Sequence, residues 1–382
     1  MQENTLCGRK DVCGSCGWFD IPYEEQLLKK LEGINTAAKA DKISLICSKI
    51  IPSVTNSHYR NKMDFVIDYK GNFGLREKGK WWKVIDNHTC FLPDTKIIDL
   101  YHRLYPWVKN SGLSYYDRKA DAGLLRYAII RVTKLGETMV IILTTNPKDS
   151  SEEMLIKNSL ASLVDTLNVT SFVWSHTSSK SDISFGENCE VISGAAYIRE
   201  KINEHFYIIR PNSFFQTNSQ TAELLQSHVI SMTDTFNLPS SANVLDLYCG
   251  SGFFTLPLSG KYKNTYGVES VKSAIDDANE NAQLNNLHPN FICAPAENIR
   301  ISDYVPELVL VDPPRSGLHP KVINDLLTVC PKYMIYVSCK YEKFLSEMQL
   351  LRTKYSVVDC HAIDMFPHTP HTEVVTALVR NP

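Results

Sequence analysis

The chain has 382 residues, 43% hydrophobic and 21% charged, enough for two or three domains with sizeable buried cores. No run approaches the roughly 20 apolar residues of a membrane span. Met1 to Asp11 is polar and charged, unlike a secretory leader, so a cytoplasmic location is expected. Lys and Arg number 40 against 42 Asp and Glu, a net charge of −2. A nucleic-acid partner would therefore need a local basic face rather than a basic chain.

The eleven cysteines are odd in number, which makes a disulfide framework a poor reading. Residues 7 to 16 read Cys-Gly-Arg-Lys-Asp-Val-Cys-Gly-Ser-Cys, a C-x5-C-x2-C cluster. Three thiolates on glycine-rich backbone can converge on one metal centre, and a closed site needs a fourth ligand. Cys90 is the candidate, because it sits in a polar turn and not in an apolar run. Zinc and iron–sulfur both suit four thiolates. Most other cysteines lie in apolar runs, where the residue acts as a small core group.

Glu24 to Ala40 has helical periodicity, with Leu27, Leu28, Leu31 and Ile34 as its apolar positions. From Ile43 to about Val84 short strands and turns are predicted, with a hairpin at Gly71-Asn72. This stretch interleaves Arg60, Lys62, Lys70, Arg76, Lys78, Lys80 and Lys83 with Tyr59, Tyr69, Phe73, Trp81 and Trp82. Cations supply phosphate contacts and aromatic faces stack on unpaired bases. A solvated sheet face is the competing reading. Pro93 to Asn110 is predicted helical, broken at Pro106. Leu124 to Thr145 reads as two strands turning near Gly136, Ser151 to Leu167 as a helix, and Thr170 to Trp174 and Cys189 to Ile192 as short strands.

A strand ending near Arg210 is followed by the polar-aromatic loop Pro211 to Asn218, and Thr221 to Thr235 reads as a helix. Strands and helices then alternate: strand 243–248, helix from 253, strand 265–269, helix 272–287, strands 290–294 and 307–312, helix 320–329, strand 333–338, helix 341–352, and strands 355–363 and 373–379. Such alternation argues for a doubly wound, mostly parallel sheet, with ligands beyond the carboxyl ends of its strands. Five loops should meet there. Gly250 and Gly252 make a tight turn that lets a nucleoside-like ligand approach the backbone. Glu269 ends the second strand, where a carboxylate accepts both hydrogen bonds of a ribose diol. Asp312-Pro-Pro-Arg315 forms a stiff loop. Cys339 lies just past an apolar strand. Asp364 to Glu373 brings a carboxylate and two histidines to the edge. With no pyrophosphate cradle, these loops imply S-adenosylmethionine rather than a dinucleotide. Thiol, carboxylate and methyl donor are the set needed to methylate carbon 5 of a pyrimidine: Cys339 adds to carbon 6, and Glu373 removes the carbon 5 proton. Asp312 can accept the uracil N3–H, which favours uracil over cytosine. The target base must leave its stack, which is cheapest in a loop.

Cys7-x5-Cys13-x2-Cys16, Tyr59-Arg-Asn-Lys62, Phe214-Phe-Gln216, Asp246-Leu-Tyr-Cys-Gly-Ser-Gly252, Asp312-Pro-Pro-Arg-Ser-Gly317, Ser338-Cys339, and Asp364-Met-Phe-Pro with His371-Thr-Glu373 together resemble the RNA uracil-C5 methyltransferase family. The match runs nearly end to end. The resemblance implies a [4Fe–4S] cluster on Cys7, Cys13, Cys16 and Cys90. It implies S-adenosylmethionine binding by Gln216, Tyr248, Gly250, Gly252, Glu269 and Asp312, with nucleophile Cys339 and base Glu373. RNA contacts are expected from Arg60, Lys62 and Phe214. Residues 1–205 should hold the iron–sulfur segment and an α+β RNA-binding domain, with the helix at about 24–40 packed on the catalytic domain. Residues 206–382 should form a Rossmann-like methyltransferase domain. Family members often carry a barrel before the cysteine cluster. Here the cluster begins at residue 7, read as the barrel's absence, so the shorter 23S ribosomal RNA enzymes are the expected match. A tRNA loop uridine is the alternative, and a non-catalytic iron–sulfur RNA-binding protein is the rival of another class. No membrane and no obligate protein partner is expected. Lys340-Tyr341 replaces the family's usual Asn-Pro after the nucleophile, and Lys340 is expected to lower the thiol's pKa.

Overall fold

Helix α1 (Tyr23–Ala40) carries Glu24 and Glu25 in its first turn, where carboxylates complement the positive end of the helix dipole. Its buried stripe is Gln26, Lys30, Ile34 and Ala38, while Leu28 is 59% exposed. The leucine face expected from periodicity is thus turned partly outward, and two polar side chains are buried instead. The structure, a computed structural model, describes residues 7–9, 11–88 and 90–382; most of the segment read as free of a leader lies outside them. No helix of the described residues is long and apolar enough to cross a membrane.

Strand β1 (Lys49–Ile51) leads into β2 (Lys62–Ile67), β3 (Phe73–Glu77) and β4 (Lys80–Asp86). The expected turn at Gly71 is present with φ 77°, and a second turn uses Gly79 at φ 72°, backbone that glycine adopts without a Cβ penalty. Helix α2 (Thr95–Asn110) is capped by Asp94, whose side chain accepts from the Lys96 amide. It continues through Pro106 rather than breaking there. Its apolar stripe, Ile97, Leu100, Leu104 and Val108, is buried, and burying four such side chains at about 1.5–3 kcal/mol each outweighs one lost backbone bond. Strands β5 (Leu125–Val132) and β6 (Thr138–Thr145), helices α3 (Ser150–Ala161) and α4 (Val164–Leu167), and strands β7 (Ser171–Thr177) and β8 (Asn188–Gly194) follow. The seven-stranded sheet has the order β4-β3-β2-β5-β6-β7-β8. Strands β9 (Ile198–Ile202) and β10 (His205–Ile209) form a separate hairpin.

After α5 (Ser219–Asp234) the chain alternates as the sequence predicts. The elements are β11 (Asn243–Leu247), α6 (Thr255–Lys261), β12 (Asn264–Glu269), α7 (Lys272–Leu284), β13 (Asn290–Cys293), β14 (Leu308–Val311), α8 (Pro320–Val329), β15 (Tyr333–Ser338), α9 (Tyr341–Leu351), β16 (Tyr355–Ile363) and β17 (Glu373–Arg380). The eight-stranded sheet has the order β1-β16-β17-β15-β14-β11-β12-β13. From β11 the chain winds outward through β12 and β13, then returns to β14 on the other side, so the switch point lies between β11 and β14. Strands β11 to β15 are parallel, and β17 runs antiparallel to β15 and β16. Strand β1, from the first fifty-one residues, closes the edge parallel to β16. One apolar core joins the two sheets, with Val66, Ile129 and Ile141 packed in the same cluster as Val244, Leu310 and Val337.

Candidate active site

Strand β11 ends in a turn where three residues have left-handed backbone: Tyr248 at φ 67°, Gly250 at φ 53° and Gly252 at φ 89°. A non-glycine residue there is uncommon and strained, and sequence reading placed only the glycines. A Cβ on Gly250 would meet no atom within 4 Å, whereas one on Gly252 would press on Phe291 and Leu256. Gly250 thus leaves open space beside the turn, and Gly252 lets the turn pack. Glu269, ending β12, aims at the same place: Oε2 accepts from the Gly250 amide at 3.3 Å, and Oε1 accepts from Ser270 Oγ at 2.9 Å and the Val271 amide at 2.8 Å. Beneath them Asp246 is fully buried, with Oδ2 accepting from Thr255 Oγ1 at 2.5 Å and no partner for Oδ1. Burial, reinforced by Asp312 and Glu269, pushes its pKa up to about 8. An orphaned buried oxygen, an open-sided glycine turn and a strand-end carboxylate suit a nucleoside with a ribose diol. Tyr248 is half-buried beside this turn, and Cys249 is 5% exposed, a packed small residue.

The candidate reacting groups come from the adjoining strand ends. Asp312 follows β14, and burial lifts its carboxyl to about 7. Its loop is anchored by Glu347 of α9, which sequence reading missed. Glu347 Oε1 accepts from the Leu318 amide at 2.9 Å and Oε2 from the Tyr336 hydroxyl at 2.6 Å. Strands β15 and β17 pair antiparallel through Ser338↔Val374. Cys339 and Glu373 are the next residues along that ladder, so they stand at neighbouring strand ends. Cys339 is half-buried, and its thiol is pushed up to about 11 by burial, then by Glu373 and Asp312, with Arg315 lowering it. The cation that acts most on the thiol is Arg315. Lys340 is exposed at the start of α9, its amide donating to Ser338 Oγ at 3.2 Å, because the chain turns there into the helix. Glu373 is 6% exposed. Burial, then Asp312, raises its carboxyl to about 8 against the pull of Arg315. Thiol, two carboxyls and guanidinium thus act on one another at a single edge, and that edge continues to Glu269 and the glycine turn.

Other expectations divide. Of the two histidines on the last loop, His371 is exposed near the site, with Arg315 and Arg60 bearing on its charge. His368 is 3% exposed and packs against Phe91 and Phe19 at ring separations of 5.1 and 6.1 Å. The Gln216 carbonyl accepts from Asn61 Nδ2 at 2.9 Å, which ties its loop to the start of β2. Phe214 is 80% exposed. Arg60 is half-buried, and Lys62 is paired with Asp64 at 3.2 Å. Among the aromatics expected to stack, Phe73 and Tyr59 are core residues, while Trp81 and Trp82 are 53% and 56% exposed. Arg118 lies over the Trp81 ring at 5.1 Å. Beside them a cleft of about 700 Å³ is lined by Arg76, Lys78, Lys80, Trp81, Tyr127 and Asp182 among others.

Cys7, Cys13, Cys16 and Cys90 are all buried in one cluster with Phe19 and Phe91. Burial pushes Cys16 and Cys90 up to about 12; Cys13 and Cys7 add to both shifts, and Cys16 adds to that of Cys90. The four thiols thus share one buried environment. Among the described residues, however, no group of three or more His, Cys, Asp or Glu side chains is arranged so that it could hold a metal ion. Protonated thiols pack at van der Waals distance as small apolar groups, so convergence does not by itself bring them to ligand geometry.

The family model for tRNA (Uracil-5-)-methyltransferase matches residues 177–294 and 290–381. A tRNA (uracil(54)-C(5))-methyltransferase of Pyrococcus horikoshii is 34% identical, over 99% of this chain and 86% of that protein. Its namesake from Pyrococcus furiosus is 35% identical over 100% and 86%. The crystal structure of the Pyrococcus abyssi tRNA (uracil-54, C5)-methyltransferase in complex with S-adenosyl-L-homocysteine matches with a TM-score of 0.78 at 31% identity, covering 96% of this chain and 86% of that one. With the strand-end thiol, carboxyls and glycine turn on one edge, the chain belongs to the tRNA (uracil-5-)-methyltransferase family and is an RNA (uracil-C5)-methyltransferase.

Proposed function

We propose that the protein methylates carbon 5 of the uridine at position 54 of tRNA through a covalent adduct on Cys339. The observation that carries this reading is the placement of Cys339 and Glu373 at neighbouring ends of β15 and β17, with Asp312 acting on both. Carbon 5 of uracil is a poor nucleophile. Addition of the Cys339 thiolate to carbon 6 converts the ring to an enolate and makes carbon 5 nucleophilic. Bound S-adenosylmethionine supplies the methyl group. Gly250, Gly252 and Tyr248 line the methionine and ribose side, Glu269 accepts the ribose hydroxyls, and Gln216 reaches the site from the loop before α5. Asp312 accepts the uracil N3–H. Glu373 then takes the carbon 5 proton, and the C6–S bond breaks to return Cys339 as thiolate. A base whose pKa is lifted to about 8 is well matched to proton transfer near neutral pH.

The names of the relatives turn the substrate from the expected 23S ribosomal RNA to tRNA. Arg60, Lys62 and the exposed Phe214 supply RNA contacts near the site. The β3–β4 hairpin adds Trp81, Lys78 and Lys80 as a second contact, because exposed indoles beside cations suit an unpaired base. We propose that Cys7, Cys13, Cys16 and Cys90, which are buried in one apolar cluster, would hold a [4Fe–4S] cluster if drawn from their present packing to ligand distance. Such a set of thiols would bind as thiolates, releasing their protons to solvent as the cluster is taken up. Methyl transfer needs no electron, so the cluster ties the N-terminal segment down rather than entering the reaction.

Labelled-methyl transfer to tRNA and 23S ribosomal RNA transcripts, followed by nucleotide mapping, tests the reading. The expected result is 5-methyluridine at one tRNA position and none in the ribosomal transcript. Label in ribosomal RNA alone, or no label at all, overturns it.

A further inference from the structure

The loop from Asp364 to Thr372 joins β16 to β17 and delivers Glu373 as the first residue of β17. Its base is closed by the Ile363↔Glu373 pair and by Thr372 Oγ1 donating to the Ile363 carbonyl at 2.9 Å. Among the described residues, most of the hydrogen bonds that reach it from outside the loop come from the first sixty residues. Lys30 Nζ donates to Asp364 Oδ1 at 2.6 Å, with both side chains fully buried, and to the Phe366 carbonyl at 3.2 Å. Gln26 Oε1 accepts from the His368 amide at 2.7 Å, and Gln26 Nε2 lies 3.1 Å from His368 Nδ1. The Trp18 amide donates to the His368 carbonyl at 3.0 Å, and the Tyr59 hydroxyl to the Pro367 carbonyl at 3.1 Å. His368 has φ 63°, a conformation that persists only where the surroundings over-determine it. From the catalytic half, Asn218 Nδ2 donates to the Met365 carbonyl at 3.1 Å.

These contacts account for the unusual buried face of α1. A helix stabilised by burial alone would turn its leucines inward. This one buries Gln26 and Lys30 and leaves Leu28 in solvent. A buried ion pair is weak evidence for stability, because desolvating two charges offsets their attraction. Its value lies in fixing one geometry.

We infer that α1 is a clamp for the base-carrying loop, with Lys30 and Gln26 as positioning residues that set Glu373 for proton removal. The inference rests on the adduct mechanism proposed above. In the step concerned, the carbon 5 proton passes to the Glu373 carboxylate. The C–H electron pair becomes the C5=C6 double bond, and the C6–S bond breaks with its electrons leaving on Cys339 as thiolate. Neither Lys30 nor Gln26 touches substrate. Loosening the loop moves the base and leaves the nucleophile on β15 where it is. Thiol addition and methyl transfer therefore continue while resolution of the adduct slows, and displacements of about 1 Å cost up to about a hundredfold in rate.

The experiment uses the full chain with S-adenosylmethionine and a tRNA transcript, comparing wild type, Gln26→Leu, Lys30→Met, Lys30→Met/Asp364→Asn and Glu373→Gln. Two quantities are read: the denaturant-resistant protein–RNA adduct, and the rate of free 5-methyluridine formation. In Gln26→Leu and in the charge-neutral double variant, the expected product rate falls about 10- to 100-fold. The adduct rises to a large fraction of enzyme, and KM for tRNA is unchanged. Gln26→Leu removes no charge, so it keeps the test valid if Lys30→Met fails to fold. Adduct and product falling together, or neither changing, in a folded clamp variant overturns the clamp. If Glu373→Gln itself traps no adduct while wild type makes product, the mechanism beneath the inference fails instead.

Discussion

Glu373→Gln should stabilise the fold, and by an amount that depends on pH. The carboxyl is 6% exposed, and burial with Asp312 raises it from 4.5 to about 8. In the unfolded chain a glutamate ionises near pH 4.3. Below that pH both states are protonated and the shift has no effect. Between about 4.3 and 8 the unfolded state has lost a proton that the folded state keeps, so the stability contributed at this site falls as pH rises. The loss is about 1.4 kcal/mol per pH unit and levels off above the folded pKa. From pH 5 to pH 8 it sums to about 3–4 kcal/mol, a ceiling because Asp312 shares the field. The amide does not titrate and escapes this term, while any cost of burying its NH2 group is the same at both pH values. Urea unfolding of both proteins at pH 5 and pH 8 reads the difference directly. A gain for Glu373→Gln no larger at pH 8 than at pH 5 would refute the buried, raised carboxyl.

Trp81→Ala is expected to weaken tRNA binding by about 1–3 kcal/mol, the worth of one stacked base, with kcat at saturating tRNA unchanged; filter binding measures it. Glu347→Ala leaves the Tyr336 hydroxyl and Leu318 amide without their acceptor, so a loss of about 2–4 kcal/mol in denaturant unfolding is expected, together with weaker uracil discrimination through Asp312. Under the proposed cluster assignment, wild type purified without oxygen carries iron and visible absorbance and Cys13→Ala loses both; wild type without iron, or an unchanged iron content in Cys13→Ala, would remove the cluster from this site.

The alternation of elements in the second half was legible because buried parallel strands and amphipathic helices carry distinct periods. The strand ends that carry Asp312, Cys339 and Glu373 are therefore legible without the sheet order. Cys339 and Glu373 could be named from their chemistry, but their adjacency could not. It depends on β17 inserting antiparallel between β15 and β16, a choice that pairing energetics make and local pattern does not. The face of α1 was misread because Gln26 and Lys30 are buried for partners more than 330 residues away. A hydrophobic-pattern argument counts only apolar residues and cannot see a polar side chain whose partner is distant. Sequence proximity points to Lys340 as the cation beside the thiol, but Arg315, 24 residues earlier in the chain, acts on it from the adjoining strand end. Pro106 shows the opposite error, a local rule overruled by the packing of a whole helix.

The most direct test is mass spectrometry of the species trapped by Glu373→Gln with tRNA and S-adenosylmethionine. The expected product is a peptide carrying Cys339 joined to a methylated uridine from a single tRNA position. A linkage at another cysteine, attachment to another base, or a trapped uridine without the methyl group would contradict the mechanism.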